Sequence, residues 1–323
     1  MNERILCVGL LVADVVVRPA DSMPMPGTSI LVEDLALVAG GCAANCASVL
    51  AKLGMSVAVA GQIGTDRLGD SVLADLKAVG VDVSTVRRTE KYLTSAVIGL
   101  IESSGERSFL CRPGANEQLT DDVIPDSLFD GVRIVHIGGA MKLVNLDIAS
   151  VLRRASEAGC ITTLDTDWDA RGVWIEHLRP ALPHVRVLMT NEMEGRMLTG
   201  EEDTQAIGRS LLAFGPQVVV VKQGAGGSTA VTAQGSLHVA AFRVPVIDTT
   251  CAGDSFAAGF LYGLAHEWPL RANLAFANAV GALCTTRLSH HGVTSLSAVM
   301  QLLEDQLGEG SFEQLLTNQR STD

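Results

Sequence analysis

The residues best equipped for chemistry lie in one run, Asp248-Thr249-Thr250-Cys251-Ala252-Gly253-Asp254-Ser255-Phe256-Ala257-Ala258-Gly259. A polar turn passes straight into a helical stretch of small residues. The first turn of a helix carries unpaired N–H groups and the positive end of the dipole, so it attracts anions. Ala252 and Gly253 are small enough to let a phosphate group reach that backbone. Asp254 falls in the same turn, where a carboxylate can take a proton from an attacking hydroxyl. An ordinary core helix with an acidic first turn accounts for the same residues. Cys251 precedes the helix, where the dipole favours a reactive thiolate; a buried, inert thiol is the alternative.

Three further runs have types and spacing suited to a ligand. Gly40-Gly41-Cys42-Ala43-Ala44-Asn45 opens a helix on paired glycines and sets an amide one turn in. That arrangement lets a ligand approach the backbone and offers Asn45 to hydroxyls, and a plain helix start fits it too. In Thr190-Asn191-Glu192-Met193-Glu194, Asn191 and Glu194 stand three apart and share a helix face. Two oxygen donors there suit Mg²⁺, directly or through its waters, or else form a capping box. Lys222-Gln223-Gly224-Ala225-Gly226-Gly227 is a glycine-rich turn able to hold a nucleotide or to close a hairpin. No Walker A run, nucleophile elbow, HEXXH motif or three-glycine dinucleotide fingerprint occurs.

The elements that must position these runs alternate. Short apolar, mostly β-branched runs are predicted as strands at Ile5–Val8, Val57–Ala60, Ile134–Ile137, Ile161–Leu164, Val185–Met189 and Val218–Val221. Helical patterns occupy Ala43–Leu53, Ser71–Val79, Leu146–Ala158, Glu192–Leu198, Ala252–Ala265, Leu270–Arg287 and Leu296–Gln306. Such alternation implies an α/β fold, a mostly parallel sheet with helices on both faces and a ligand crevice beyond the strands' carboxyl ends. Two segments, about 11–40 and 93–112, lack following helices and are expected to form a small β-sheet lid, the second as a hairpin through Ser103-Ser104-Gly105-Glu106. One domain over 1–307 is expected, then a polar, frayed tail over 308–323.

The chain of 323 residues is 47% apolar and carries a formal net charge of −12. An acidic surface without Lys/Arg clusters disfavours nucleic acid and anionic membranes as partners. No uncharged apolar run reaches about 18 residues, so no membrane span is expected. The seven cysteines are scattered and form no CxxC pair, as reduced thiols in a cytoplasmic protein would be.

Together, in this order, the four runs resemble the ribokinase (PfkB) family of carbohydrate kinases from about Ile5 to about Ser295. Gly61-Gln62-Ile63-Gly64-Thr65-Asp66 with Gly69, Gly80-Val81-Asp82 and Pro113-Gly114-Ala115-Asn116 add to the likeness. The resemblance implies phosphorylation of a hydroxyl, preferably primary, of a small sugar by ATP. A nucleoside kinase of the same fold, and a catalytically silent binding regulator, are the alternatives. It implies Asp254 as base, the amides of Ala252, Gly253 and Asp254 as anion hole, and Asn191 and Glu194 around Mg²⁺. Lys222, Gly224, Gly227 and Asn278 would line the ATP site; Asp14, Gly40, Gly41, Asn45 and Arg112 would hold the sugar. Asp248 and Thr250 would be the ligands of any K⁺, and the lid would join two copies into a homodimer.

The sequence departs from the family pattern at two places. Cys251 stands where glycine is usual. Asp165-Thr166-Asp167-Trp168-Asp169 replaces the Asp-x-Asn-x-Arg of fructokinases and keto-deoxygluconate kinases. With Asp169 at the position of that Arg, the expected substrate is neutral or cationic rather than an acid or a phosphate. Alternatively these carboxylates cap the helix that follows, or are solvated.

Overall fold

The computed structural model describes residues 4–104, 106–287 and 292–317. Its strands are β1 (Arg4–Gly9), β2 (Val12–Arg18), β3 (Asp34–Gly40), β4 (Val57–Ala60), β5 (Gln62–Gly64), β6 (Arg87–Thr89), β7 (Ser95–Ile101), β8 (Arg107–Arg112), β9 (Val132–Gly138), β10 (Ile161–Asp165), β11 (Val187–Asn191), β12 (Val218–Lys222), β13 (Ser228–Thr232) and β14 (Gly235–Val239). The helices are α1 (Cys42–Lys52), α2 (Arg67–Ala78), α3 (Ile148–Glu157), α4 (Ile175–Leu178), α5 (Glu192–Thr199), α6 (Thr204–Leu212), α7 (Ala252–Ala265), α8 (Leu270–Cys284), α9 (Leu296–Leu307) and α10 (Ser311–Thr317).

Eight strands form the main sheet in the order β14-β13-β12-β11-β10-β9-β1-β4. The six from β12 to β4 run parallel; β13 and β14 turn back antiparallel at one edge. Parallel strands are covered on both faces, so their residues are apolar throughout rather than alternately. In β1, Ile5 and Cys7 enter the core on one face while Leu6 and Val8 enter the core on the other. β12 repeats this, with Val220 on one side and Val219 and Val221 on the other. Each such aliphatic side chain removed from water contributes about 1.5–3 kcal/mol.

The four remaining long strands form the expected small sheet, in the order β3-β2-β7-β8. Strand alternation gives it two unlike faces. Asp14 pairs across with Val38 and Val97, and its side chain is turned towards the main sheet's crevice, facing Lys142. Val15 lies on the opposite face, in a row with Leu37, Ile98 and Leu110.

The chain's C-terminal end corrects the expectation of a frayed tail. Ser311–Thr317 is helical, and Phe312 is buried with its ring against Trp268 and Phe276. Leu315 and Leu316 pack beside it, so the short helix docks through three apolar side chains, of which the aromatic ring removes most area from water. Residues 318–323, and Gly105 of the expected hairpin turn, lie outside the described residues. Among the described residues no helix is long and apolar enough to cross a membrane.

Candidate active site

The carboxyl ends of β10, β11 and β12 deliver Asp165, Asn191 and Lys222 to one crevice. From the helical side, α1 and α7 point their N-termini into it, carrying Asn45 and Asp254. The small sheet closes the remaining side with Asp14.

Asp254 is the centre. Asn45 Nδ2 donates to Asp254 Oδ2 at 2.8 Å, which joins the two signature runs although they lie 209 residues apart. Burial raises the Asp254 pKa to about 7, opposed by the Asn45 hydrogen bond and raised further by Asp165. Burial likewise raises Asp14 to about 6, opposed by the Lys142 ammonium. Asn45 is buried, and its Oδ1 has no hydrogen-bond partner among the described residues. An orphaned buried acceptor is costly unless a ligand supplies a donor. Gly40 is needed for this arrangement: a Cβ there would stand 1.9 Å from Asp14 Oδ2.

Beside Ala252 and Gly253, the two residues before Asp254, a cavity of about 740 Å³ opens, and it brings them together with Lys222, Gly224, Gly227 and Asn278. Lys222, Gly224, Gly227 and Asn278 were expected at the ATP site and Ala252 and Gly253 in the anion hole, from separate parts of the chain. The glycine run is a hairpin turn as well, since it joins β12 to antiparallel β13. At Gly227, φ is +98° and a Cβ would lie 2.1 Å from the Val239 carbonyl oxygen, so both conformation and space require glycine. Asn278 shapes the wall by donating to Val239 and Ala240 carbonyls at 2.9 and 3.2 Å.

Lys222 links the two compartments. Its Nζ lies 2.7 Å from both oxygens of Asp165, and a Cβ on Gly253 would stand 3.3 Å from it. Burial would lower the Lys222 pKa, but Asp165 and Glu194 outweigh burial and hold it raised. A charged ammonium therefore stands beside the open N-terminus of α7.

Asn191 and Glu194 form a capping box on α5. Glu194 Oε1 accepts from Asn191 Nδ2 at 2.6 Å, while Oε2 accepts from Thr166 Oγ1 and the Asn191 amide. Both carboxylate oxygens are engaged, and no group of three His, Cys, Asp or Glu converges as a metal cage among the described residues. Oε1 accepts only one of these bonds, so it keeps a lone pair with which it could accept from a metal-bound water. Asp248 Oδ1 accepts from the amide and hydroxyl of Thr250, so this pair fits bracing of the loop before α7.

Two sugar-site expectations are corrected. Asp169 is buried and caps the backbone that follows: Oδ1 accepts from Arg171 N, and Oδ2 from Val173 N and Trp174 N. No oxygen of Asp169 remains for a sugar, because short side-chain acceptors satisfy nearby backbone donors first. Arg112 stays on the small sheet, donating to the Thr94 carbonyl at 2.8 Å and facing Asp66. Lys142, not anticipated from the sequence, takes the place beside Asp14 and Asp254. It follows the carboxyl end of β9, and that position was its one legible signal.

Cys251 adopts φ 63°, in the left-handed region. This explains why glycine is usual there. The turn tolerates the extra Cβ, and the side chain packs half-buried against the core.

A family model for pfkB family carbohydrate kinases matches residues 2–295. The chain belongs to this family. Among its relatives, the ATP-dependent ribose-1-phosphate kinase of Halopiger xanaduensis is 30% identical over 302 residues, 94% of this chain and 98% of the relative. The structure of a fructokinase with bound ATP from Xylella fastidiosa is 28% identical with a TM-score of 0.82, covering 95% of this chain and 99% of that one. An Arabidopsis thaliana ribokinase complexed with ribose and ATP is 25% identical with a TM-score of 0.81, covering 93% and 98%. The protein is a carbohydrate kinase of ribokinase-like fold.

Proposed function

We propose that this kinase transfers the terminal phosphoryl group of ATP to a primary hydroxyl of a neutral sugar. The observation that carries the reading is the position of Asp254. It stands at the first turn of α7, between the 740 Å³ cavity and the polar recess of Asp14 and Asn45. ATP fills the cavity, and its relatives' structures with bound ATP support that occupant. The sugar sits in the recess, where one hydroxyl donates a hydrogen bond to Asn45 Oδ1 and Asp14 holds another hydroxyl.

In the reaction the sugar oxygen attacks the terminal phosphorus in line. The bond between that phosphorus and the bridging oxygen breaks, and ADP departs. Asp254 takes the proton from the attacking hydroxyl, and a pKa of about 7 suits it to this role near neutrality. The amides of Ala252, Gly253 and Asp254, with the Lys222 ammonium, balance charge that builds on the phosphoryl oxygens. Asn191 and Glu194 would hold, through water, the Mg²⁺ that comes with the nucleotide, which would supply further charge neutralisation. The seven free thiols support a reducing, cytoplasmic setting.

The outer face of the small sheet supports a homodimer. Leu35, Leu37, Ile98 and Leu110 are exposed there, 39–64% of each. A contiguous apolar row across four strands marks an association surface.

The test is product detection over a panel of ribose, fructose, an amino sugar, keto-deoxygluconate, ribose 1-phosphate and nucleosides with MgATP. A neutral sugar is expected to give the highest kcat/KM. Best turnover on a nucleoside or a sugar phosphate, or none on any member, overturns the reading.

A further inference from the structure

The Asp165–Trp174 segment departs from the family pattern, and its second carboxylate does something the capping function of Asp169 does not explain. Asp167 pairs with Lys142, Nζ to Oδ2 at 2.8 Å. The same oxygen lies 3.6 Å from Cys42 Sγ, in the glycine-led turn that positions Asn45. Asp167 Oδ1 accepts from the Trp168 amide at 2.6 Å. Asp167 is thus held at both oxygens and only 20% exposed, whereas the Lys142 side chain it pairs with is 54% exposed. Burial would lower the Lys142 pKa, but Asp167 and Cys42 oppose it and hold it raised, with Asp254 adding to them. Lys142 in turn faces Asp14, Cys42 and Asp254. These groups bound the recess proposed for the sugar.

The two lysines that face this part of the crevice are each already paired. Lys222 belongs to Asp165 and Lys142 belongs to Asp167. We infer that Asp167 sets the charge preference of the sugar site by neutralising Lys142, so that neutral polyols enter and anionic sugars are turned away. This rests on the sugar-kinase reading above and adds the device that selects within it. An anionic group reaching for Lys142 would meet the Asp167 carboxylate at the same point, and the attraction and repulsion cancel. A neutral polyol meets both a donor and an acceptor, which suits two neighbouring hydroxyls. Discrimination of this kind works by an unfavourable contact with the wrong ligand.

The conformation at this position makes the test clean. Asp167 has φ 75°, a left-handed backbone that Asp and Asn tolerate better than other residues with a Cβ. Asp167→Asn keeps the size and the backbone preference while releasing the Lys142 charge. The experiment measures kcat/KM for two matched pairs, ribose with ribose 1-phosphate and fructose with fructose 1-phosphate. It compares wild type, Asp167→Asn and Lys142→Met. The expected result is a phosphate-to-neutral ratio about tenfold or more higher in Asp167→Asn, falling off at high salt. In Lys142→Met the ratio should fall below wild type. A purely structural Asp167 would lower both members of each pair equally, and an unchanged ratio in the two variants overturns the inference. A wild-type preference for the phosphorylated sugars overturns it as well. No phosphorylation of any sugar by the wild type overturns the kinase reading, and this inference with it.

Discussion

The two halves of the crevice are built from different materials. The half proposed for the nucleotide, from Lys222 to Asn278, relies on backbone and small residues, with the Gly224–Gly227 turn, the open start of α7 and Ala240, beside larger side chains such as Phe242 and Phe256. The sugar half is side chains: Asp14, Asn45, Lys142 and Asp167, drawn from the small sheet, α1 and two loops. Phosphate is the same group in every turnover, so fixed amides and small residues suffice to hold it. A sugar differs between enzymes by one hydroxyl or one charge, and exchangeable side chains carry that difference. Lys222 belongs to both halves, since it faces the cavity and is fixed by a carboxylate at the floor of the crevice.

The largest effect should come where the halves meet. Asp254→Asn is expected to lower kcat on the best sugar by about 10²–10⁴ with ATP affinity preserved, read by steady-state kinetics and nucleotide titration. In the wild type, kcat/KM should climb with pH and level off above about 7, because the base must be unprotonated. Stability runs the other way. The folded pKa lies above the unfolded value near 3.8, so the wild type loses stability as pH rises towards 7. Asp254→Asn should therefore be more stable than wild type at pH 8, by up to about 4 kcal/mol less what the altered Asn45 hydrogen bond costs, and a lower melting temperature would break the assignment.

Removing the shared element should damage the fold. Lys222→Met leaves Asp165 buried without its partner, which typically costs about 3–5 kcal/mol. Denaturant unfolding measures it, and pairing the change with Asp165→Asn should recover most of the loss. A Lys222→Met variant as stable as wild type would show that the ammonium serves the nucleotide alone.

The smallest effect tests the backbone half. Cys251→Gly should relieve a left-handed residue and add about 0.5–1 kcal/mol of stability, with kcat unchanged within twofold. A tenfold fall in kcat would instead give the thiol a part in the chemistry.

Much of this was legible in the chain because short runs imply their own local structure. The strand at Val57–Ala60 and the helix at Ala252–Ala265 are found at the boundaries read from apolar period and small-residue pattern. Glycine runs marked the nucleotide half for the same reason, since only a few backbone conformations need them. The sugar half was read less well. Asp169, Asp167 and Asp165 looked like one acidic patch in sequence, yet one caps backbone, one holds Lys142 and one holds Lys222. A carboxylate's partner depends on what lies across the crevice, and no local pattern encodes that.

The order of apolar runs by itself determined the α/β class, and the Asp248–Gly259 run determined the helix start at which phosphate chemistry is proposed. Both follow from interactions within a few residues: strand and helix periodicity, and the unpaired amides of a helix start. The tertiary structure alone decided that Asn45 meets Asp254 across 209 residues, that Phe312 anchors the tail, and that Lys142 faces Asp167. Those pairings depend on sheet order and on which face of each element turns inwards, and they exist only once the chain has closed on itself.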